Sequence, residues 1–131
     1  MGNPVRDAVA IEKVSILIVD DEPSVGDALK LVLESNGYDV VLVANGSEGI
    51  EEARIRSFAF GIIDFFLPDI CGFQVIKAIH DHQPEIPILL ISGHATPQLF
   101  ANAMKLGAIG GLAKPFRPAD ILTRITTTLV P

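Results

Sequence analysis

Cysteine occurs once in the chain, which excludes an intramolecular disulfide and a cysteine-based zinc cluster and is consistent with a reducing compartment. Tryptophan is absent, tyrosine occurs once, and aromatic residues make up 6% of a chain that is 49% hydrophobic. That balance suits an aliphatic α/β core better than a disordered segment or a binder built on stacking. Basic residues are few: 10 Lys and Arg stand against 16 Asp and Glu, for a net charge of −6. Without a basic face, neither direct nucleic-acid binding nor attachment to an anionic membrane is expected. No apolar run approaches the roughly 20 residues that cross a bilayer. Met1 to Ala10 lacks the hydrophobic segment of a signal peptide, so the expected location is the cytoplasm. At 131 residues there is room for one folded module. Such a module buries about two-thirds of the surface its unfolded form exposes.

What is present is a set of short, punctuated apolar runs. Val14 to Val19, Phe60 to Ile63, Ile86 to Ile91 and Ile109 to Ala113 each end on a polar residue and read as strands of a buried parallel sheet. Asp39 to Ala44 supplies one more strand. Between them lie helical patterns: Ser24 with Asp27 as a capping box before Val25, Ala28, Leu29, Val32 and Leu33, and Asn45 with Glu48 opening a helix that ends near Arg56. Phe73, Ile76 and Ile79 form the next stripe, closed by Pro84. Thr96-Pro97 starts a helix whose Leu99, Phe100, Ala103, Met104 and Leu106 run inward, and Pro118 starts a last one through Ile121, Leu122, Ile125 and Leu129. Asn36-Gly37 and Gly107 are the stops. Residues 1–13 read as a flexible lead-in and 14–131 as the domain. Strict β-α alternation predicts right-handed crossovers with helices on both faces of the sheet. The expected fold is a doubly wound α/β sandwich with strand order 2-1-3-4-5, the flavodoxin-like arrangement.

In such a sheet the carboxyl ends of the strands line one crevice, so Asp20, Asp21, Asp64, Ser92 and Lys114 are predicted to meet. Two unit charges ~4 Å apart repel by about 4 kcal/mol at an effective dielectric of 20, so clustered carboxylates call for a cation or a proton. Oxygen donors without His or Cys select a hard ion, Mg²⁺. Asp20 and Asp21 are the candidate metal ligands. Asp64, alone on the central strand, is the candidate nucleophile toward a phosphoryl group. Ser92 and Lys114 are placed to meet the phosphoryl oxygens. No His or Glu base is placed to activate water quickly, so a persistent aspartyl phosphate is expected.

The stretches Ile18-Val19-Asp20-Asp21-Glu22-Pro23, Asp64-Phe65-Phe66-Leu67-Pro68-Asp69-Ile70-Cys71-Gly72, Ile91-Ser92-Gly93, Gly107-Ala108 and Lys114-Pro115-Phe116 resemble, in order, the motifs of the receiver domain of two-component response regulators. The resemblance runs from about Val14 to Leu129. It implies Asp64 as phosphoacceptor, with a sensor histidine kinase or a histidine phosphotransfer protein as donor and a downstream effector domain or protein as reader. It also implies Mg²⁺ held by Asp21, Asp64 and the Phe66 backbone carbonyl with Asp20 assisting through water, and a cis Lys114-Pro115 bond. The chain would act as a phosphorylation-controlled interaction switch, with no more than weak enzymatic activity toward its own phosphate. Homodimerisation stays open. Two positions depart from the family: Gly111 stands where Tyr or Phe usually reports phosphorylation, and Cys71 where Asp, Asn or Ser usually caps the helix.

Two other classes compete. A haloacid dehalogenase type phosphatase also uses an aspartyl nucleophile, Mg²⁺ and a lysine, but carries Asp-x-Asp on its first strand. A flavodoxin-like electron carrier needs a Ser/Thr-rich phosphate loop after that strand, which is missing. Individually, Ser92 and Lys114 also fit plain loop positions, His80 and His82 fit a solvent-facing helix end, and His94 fits either a surface loop or a residue that shapes access. Gly110-Gly111 fits a strand thinned so that another group approaches closely. A stand-alone receiver and a piece of a longer regulator fit equally well.

Overall fold

The computed structural model describes residues 13–130, in which five strands alternate with five helices. In chain order these are β1 (Ser15–Val19), α1 (Pro23–Ser35), β2 (Asp39–Val43), α2 (Gly46–Ile55), β3 (Phe60–Asp64), α3 (Gly72–His82), β4 (Ile88–Ser92), α4 (Pro97–Lys105), β5 (Gly110–Ala113) and α5 (Pro118–Leu129). Every strand pairing is parallel, and the order is β2-β1-β3-β4-β5, as expected. All but the last residue of the expected lead-in, Lys13, lies outside the described residues.

The central strands are apolar between their end residues because both of their faces are covered. Alternate residues serve opposite sides. Leu17, Val19, Ile63 and Leu90 meet Ala53 of α2, Val75, Ile76 and Ile79 of α3 and Ala103 of α4. Ile16, Ile18, Ile62, Leu89 and Ile91 meet Leu29 and Leu33 of α1 and Ile121 and Ile125 of α5. Burying one such side chain contributes about 1.5–3 kcal/mol, so these layers hold the strand ends rigidly in place.

Several helix ends follow their local chemistry. Asn45 Oδ1 accepts from Glu48 N at 2.9 Å while Asn45 Nδ2 donates to Glu48 Oε1 at 2.8 Å. Thr96 Oγ1 accepts from Leu99 N at 3.0 Å, with Pro97 opening the helix. The turn after α1 has Gly37 at φ 91°. Other expectations fail for identifiable reasons. No Ser24–Asp27 capping box forms, because Pro23, with its fixed φ and missing N–H, starts the helix two residues earlier, leaving Glu22 as a cap without a side-chain bond. Pro87 lacks the ladder donor, so β4 begins at Ile88 rather than Ile86. Met104 is 55% exposed, since the inward face of α4 centres on Ala103, one step round the helix.

His80 is half-buried rather than solvent-facing. Its Nε2 lies 3.0 Å from Ile86 O and its Nδ1 3.4 Å from Leu106 O, so the ring ties the end of α3 to the approach of β4 and the close of α4. His82 is exposed. Gly111 is crowded: a Cβ built there would stand 2.1 Å from Phe100 Cδ1, so the ring of α4 occupies the space over β5.

Candidate functional site

Because the strands run parallel, their carboxyl ends open on one edge. Asp20 and Asp21 follow β1, Asp64 ends β3, Ser92 ends β4 and Lys114 follows β5. The register pairs Val19 with Ile63, Asp64 with Ile91 and Ser92 with Ala113, which brings these ends level. Asp20, Asp64 and Ser92 are buried, whereas Asp21 is exposed. Carboxylate oxygens of Asp20, Asp21 and Asp64 lie within 4.8 Å of one another.

Lys114 enters this cluster from the opposite side. Its Nζ is 2.8 Å from Asp64 Oδ2, 3.0 Å from Asp20 Oδ2 and 2.6 Å from Glu22 Oε1. Asp20 Oδ1 accepts from the Glu22 amide at 2.9 Å. Asp20 Oδ2 is buried and, beyond the charge of Lys114, takes no hydrogen bond. Burial pushes the Asp64 carboxyl up to about 6, with the Asp20 charge adding to the rise while Lys114 and the Phe66 amide oppose it. For Lys114 burial is the largest single influence and acts downward. The contacts with Asp64, Glu22 and Asp20 outweigh it, so the ammonium is held well above the ordinary lysine value.

Ser92 Oγ accepts from the His94 amide at 3.1 Å, which leaves its proton available to a ligand, and the Ser92 carbonyl accepts from the Lys114 amide at 2.8 Å. The Phe66 amide donates to Asp64 Oδ1 at 3.3 Å. An open cleft of about 370 Å³ leads to the cluster, lined by Asp21, Glu22, Asp64, Phe66, Gly93, His94 and Lys114. At its rim the exposed Phe66 ring meets the His94 ring edge-on, with centroids 5.4 Å apart. An apolar cleft of similar size between α1 and Pro115–Phe116 shares Glu22 and Lys114 but is not lined by the aspartates.

The structure thus brings together all five predicted side chains at one sheet edge. The Lys114-Pro115 peptide bond is cis. Glu22 was missed as the third partner of Lys114, although its place directly after Asp20-Asp21 was a usable signal. Asp69 was also missed: its carboxylate accepts from Gly46 N, Ser47 N and Ser47 Oγ at the start of α2, for which no local pattern exists. Cys71 caps α3 with help from Gln74, whose Oε1 accepts from the Cys71 amide at 3.1 Å.

A family model described as the response regulator receiver domain matches residues 16–126. Among curated proteins, the transcriptional regulatory protein CusR of Escherichia coli (strain K12) is 33% identical over 114 residues, covering 87% of this chain and 50% of its own length. The chain spans about half the length of the curated relatives it matches. Among solved structures, a CheY-like response regulator receiver domain protein from Methanospirillum hungatei aligns with a TM-score of 0.86 at 30% identity, over 90% of this chain and 94% of that one. A response regulator from Burkholderia pseudomallei, solved with a phosphorylated aspartic acid, calcium ion and citrate, aligns with a TM-score of 0.82 at 31% identity, over 88% of this chain and 68% of that one.

Proposed function

The chain belongs to the response regulator receiver domain family, the receiver module of two-component signal transduction, and from that membership we propose that Asp64 accepts a phosphoryl group from a histidine of a sensor kinase or a histidine phosphotransfer protein. The observation that carries the assignment is the buried Asp64 carboxylate, in contact with Lys114 and beside two further aspartates. An Asp64 oxygen attacks the phosphorus of the donor phosphohistidine. An O–P bond forms as the P–N bond breaks, and the electron pair leaves with the imidazole nitrogen, which takes up a proton from solvent.

The donor set fits Mg²⁺: every side-chain donor is a carboxylate oxygen, and Asp20 Oδ2 is a buried acceptor without a hydrogen bond. Asp20, Asp21, Asp64 and the Phe66 backbone carbonyl would hold the ion. Bound there, it would offset the carboxylate charge and that of a phosphoryl oxygen. Lys114 already reaches the nucleophilic carboxylate, so a small shift of its flexible stem pairs it with a phosphoryl oxygen. Ser92 donates its free hydroxyl proton to another. Phe66 and His94 narrow the mouth of the cleft, and Glu22, the glutamate of its lining, is held by Lys114 at 2.6 Å rather than free to activate water. The product is therefore a phosphoprotein read by an effector domain or protein, rather than a step in rapid turnover. The phosphatase alternative finds no support, since the adjacent Asp20 and Asp21 are not its Asp-x-Asp pattern and Asp64 lies on β3.

Incubation with a small phosphodonor and Mg²⁺ followed by intact mass measurement tests the assignment. A single stable phosphate on the unmodified chain and none on Asp64→Asn is the expected result. A phosphate adduct that survives the substitution overturns it.

A further inference from the structure

We propose that Asp69 is a positioning residue of the phosphorylation site, fastening the loop that carries Phe66 to the N-terminus of α2. The inference rests on the reading of Asp64 and its metal ligands given above.

Residues 65–71 connect β3 to α3 and contribute both the Phe66 backbone and the aromatic rim of the cleft. The base of this loop is closed by the Gly72 amide, which donates to Phe65 O at 2.8 Å. Its far side makes no sheet or helix ladder bonds and is held by the apolar packing of Leu67 and Ile70 against the core. Asp69 adds a polar, directional anchor: one carboxylate oxygen accepts from Gly46 N at 2.8 Å, and the other from Ser47 N at 2.9 Å and Ser47 Oγ at 2.7 Å. Amides at a helix N-terminus lack intrahelical acceptors, and the helix dipole favours a negative charge there. These bonds hold the Asp69 carboxyl well below the usual carboxylate range, first through the Ser47 hydroxyl and then through the two amides.

The next residue makes an independent contact at the same place. A Cβ at Gly46 would stand 2.5 Å from Ile70 Cγ1 and 2.8 Å from Val75 Cγ2, so the missing side chain is what lets Ile70 seat against the start of α2. Asn45 already caps α2 from within the helix by bonding Glu48 N. The Asp69 contact therefore does more than cap a helix: it joins that helix to the loop. Asp69 does not line the cleft, so any effect on the site passes through the loop backbone.

This separation sets the experiment. Asp69→Ala removes the tether, Asp69→Asn keeps an acceptor oxygen but loses the charge, and Asn45→Ala weakens the same helix without touching the loop. Each is titrated with Mg²⁺ by NMR, alongside amide hydrogen exchange in the metal-free protein and thermal unfolding. Loss of a group bonded directly to a metal ligand typically costs ~10–100-fold in metal affinity. Asp69 bonds α2 rather than a ligand, so Asp69→Ala is expected at the lower end, about 10-fold, with faster exchange across residues 66–70. Asp69→Asn should lose less, and Asn45→Ala should lower the midpoint with Mg²⁺ affinity and loop exchange unchanged. Equal Mg²⁺ affinities for Asp69→Ala and Asn45→Ala, or unchanged loop exchange in Asp69→Ala, would overturn the proposal. Failure of the unmodified chain to bind Mg²⁺ would instead overturn the metal reading beneath it, and the exchange comparison would still decide the tether.

Discussion

Asp64 is set up for one task at the expense of another. Its carboxyl is moved from 3.8 to about 6 by burial first and by the Asp20 charge second. The folded chain thus holds a proton over a pH interval in which the unfolded chain has released it. The group's contribution to stability is full below the lower value and is lost as pH rises through the upper one. At neutral pH the ionised carboxylate is therefore a local source of instability, and that desolvated charge is what the proposed roles of nucleophile and metal ligand would draw on. Asn has the shape without the charge. In chelator, Asp64→Asn is expected to be more stable than the unmodified chain above pH 6, by about 1–3 kcal/mol at one pKa unit per 1.36 kcal/mol. The advantage should shrink as pH falls toward 4. Urea unfolding across that range measures it, and a difference that grows toward acid pH would contradict the assigned direction.

The elements around β5 show how a departure from the family pattern is accommodated. A strand with Gly110 and Gly111 has little to pack with its own side chains, and α4 compensates by laying the Phe100 ring over Gly111. On the same strand Arg124 of α5 approaches Gly110, and its guanidinium lies 3.5 Å from Gly111 O. The ring at this place is therefore carried by the helix that follows Ser92, not by the strand. Gly111→Ala would ordinarily gain from a stiffer unfolded chain. Here its Cβ meets the ring at 2.1 Å, and overpacking of this kind costs about 1–3 kcal/mol. Phe100→Ala removes the crowding atoms, so most of the Gly111→Ala loss should disappear in that background, which denaturant unfolding of the single and double variants reads as a coupling energy. A loss at Gly111→Ala that is unchanged when Phe100 is shortened would mean the ring is not what Gly111 admits. For the same reason an aromatic introduced by Gly111→Tyr has no space while Phe100 stays.

At the scale of the whole molecule, the alternation of apolar runs and helical stripes made the strand order and the meeting of Asp20, Asp21, Asp64, Ser92 and Lys114 legible, because parallel strands deliver their last residues to one edge whatever the loops do. The approach of Phe100 to Gly111 fits the inward stripe of α4 and the thinned strand. The contacts that stayed hidden join elements through single side chains near turns: Glu22 to Lys114, Asp69 to Ser47 and His80 to Leu106. None leaves a periodic signature, since each depends on where a turn places one side chain after the fold has closed. The acidic edge also couples to global stability. Its carboxylates are close together only in the folded chain, so a cation bound there stabilises the fold by mass action. At a concentration ~100 times its dissociation constant the gain is about 2.7 kcal/mol. Lys114 shares the same carboxylates and so weakens the affinity itself, while any binding of the ion to the unfolded chain makes that figure an upper one. Asp21 is exposed and has no part in the Lys114 contacts, which makes Asp21→Ala the substitution that removes a proposed metal ligand with least damage to the resting cluster. Thermal unfolding in chelator and in saturating Mg²⁺ should show a raised midpoint for the unmodified chain and little change for Asp21→Ala, whose midpoint in chelator should match that of the unmodified chain or exceed it. Equal midpoints with and without Mg²⁺ in the unmodified chain would show that the three aspartates gather for some reason other than a cation.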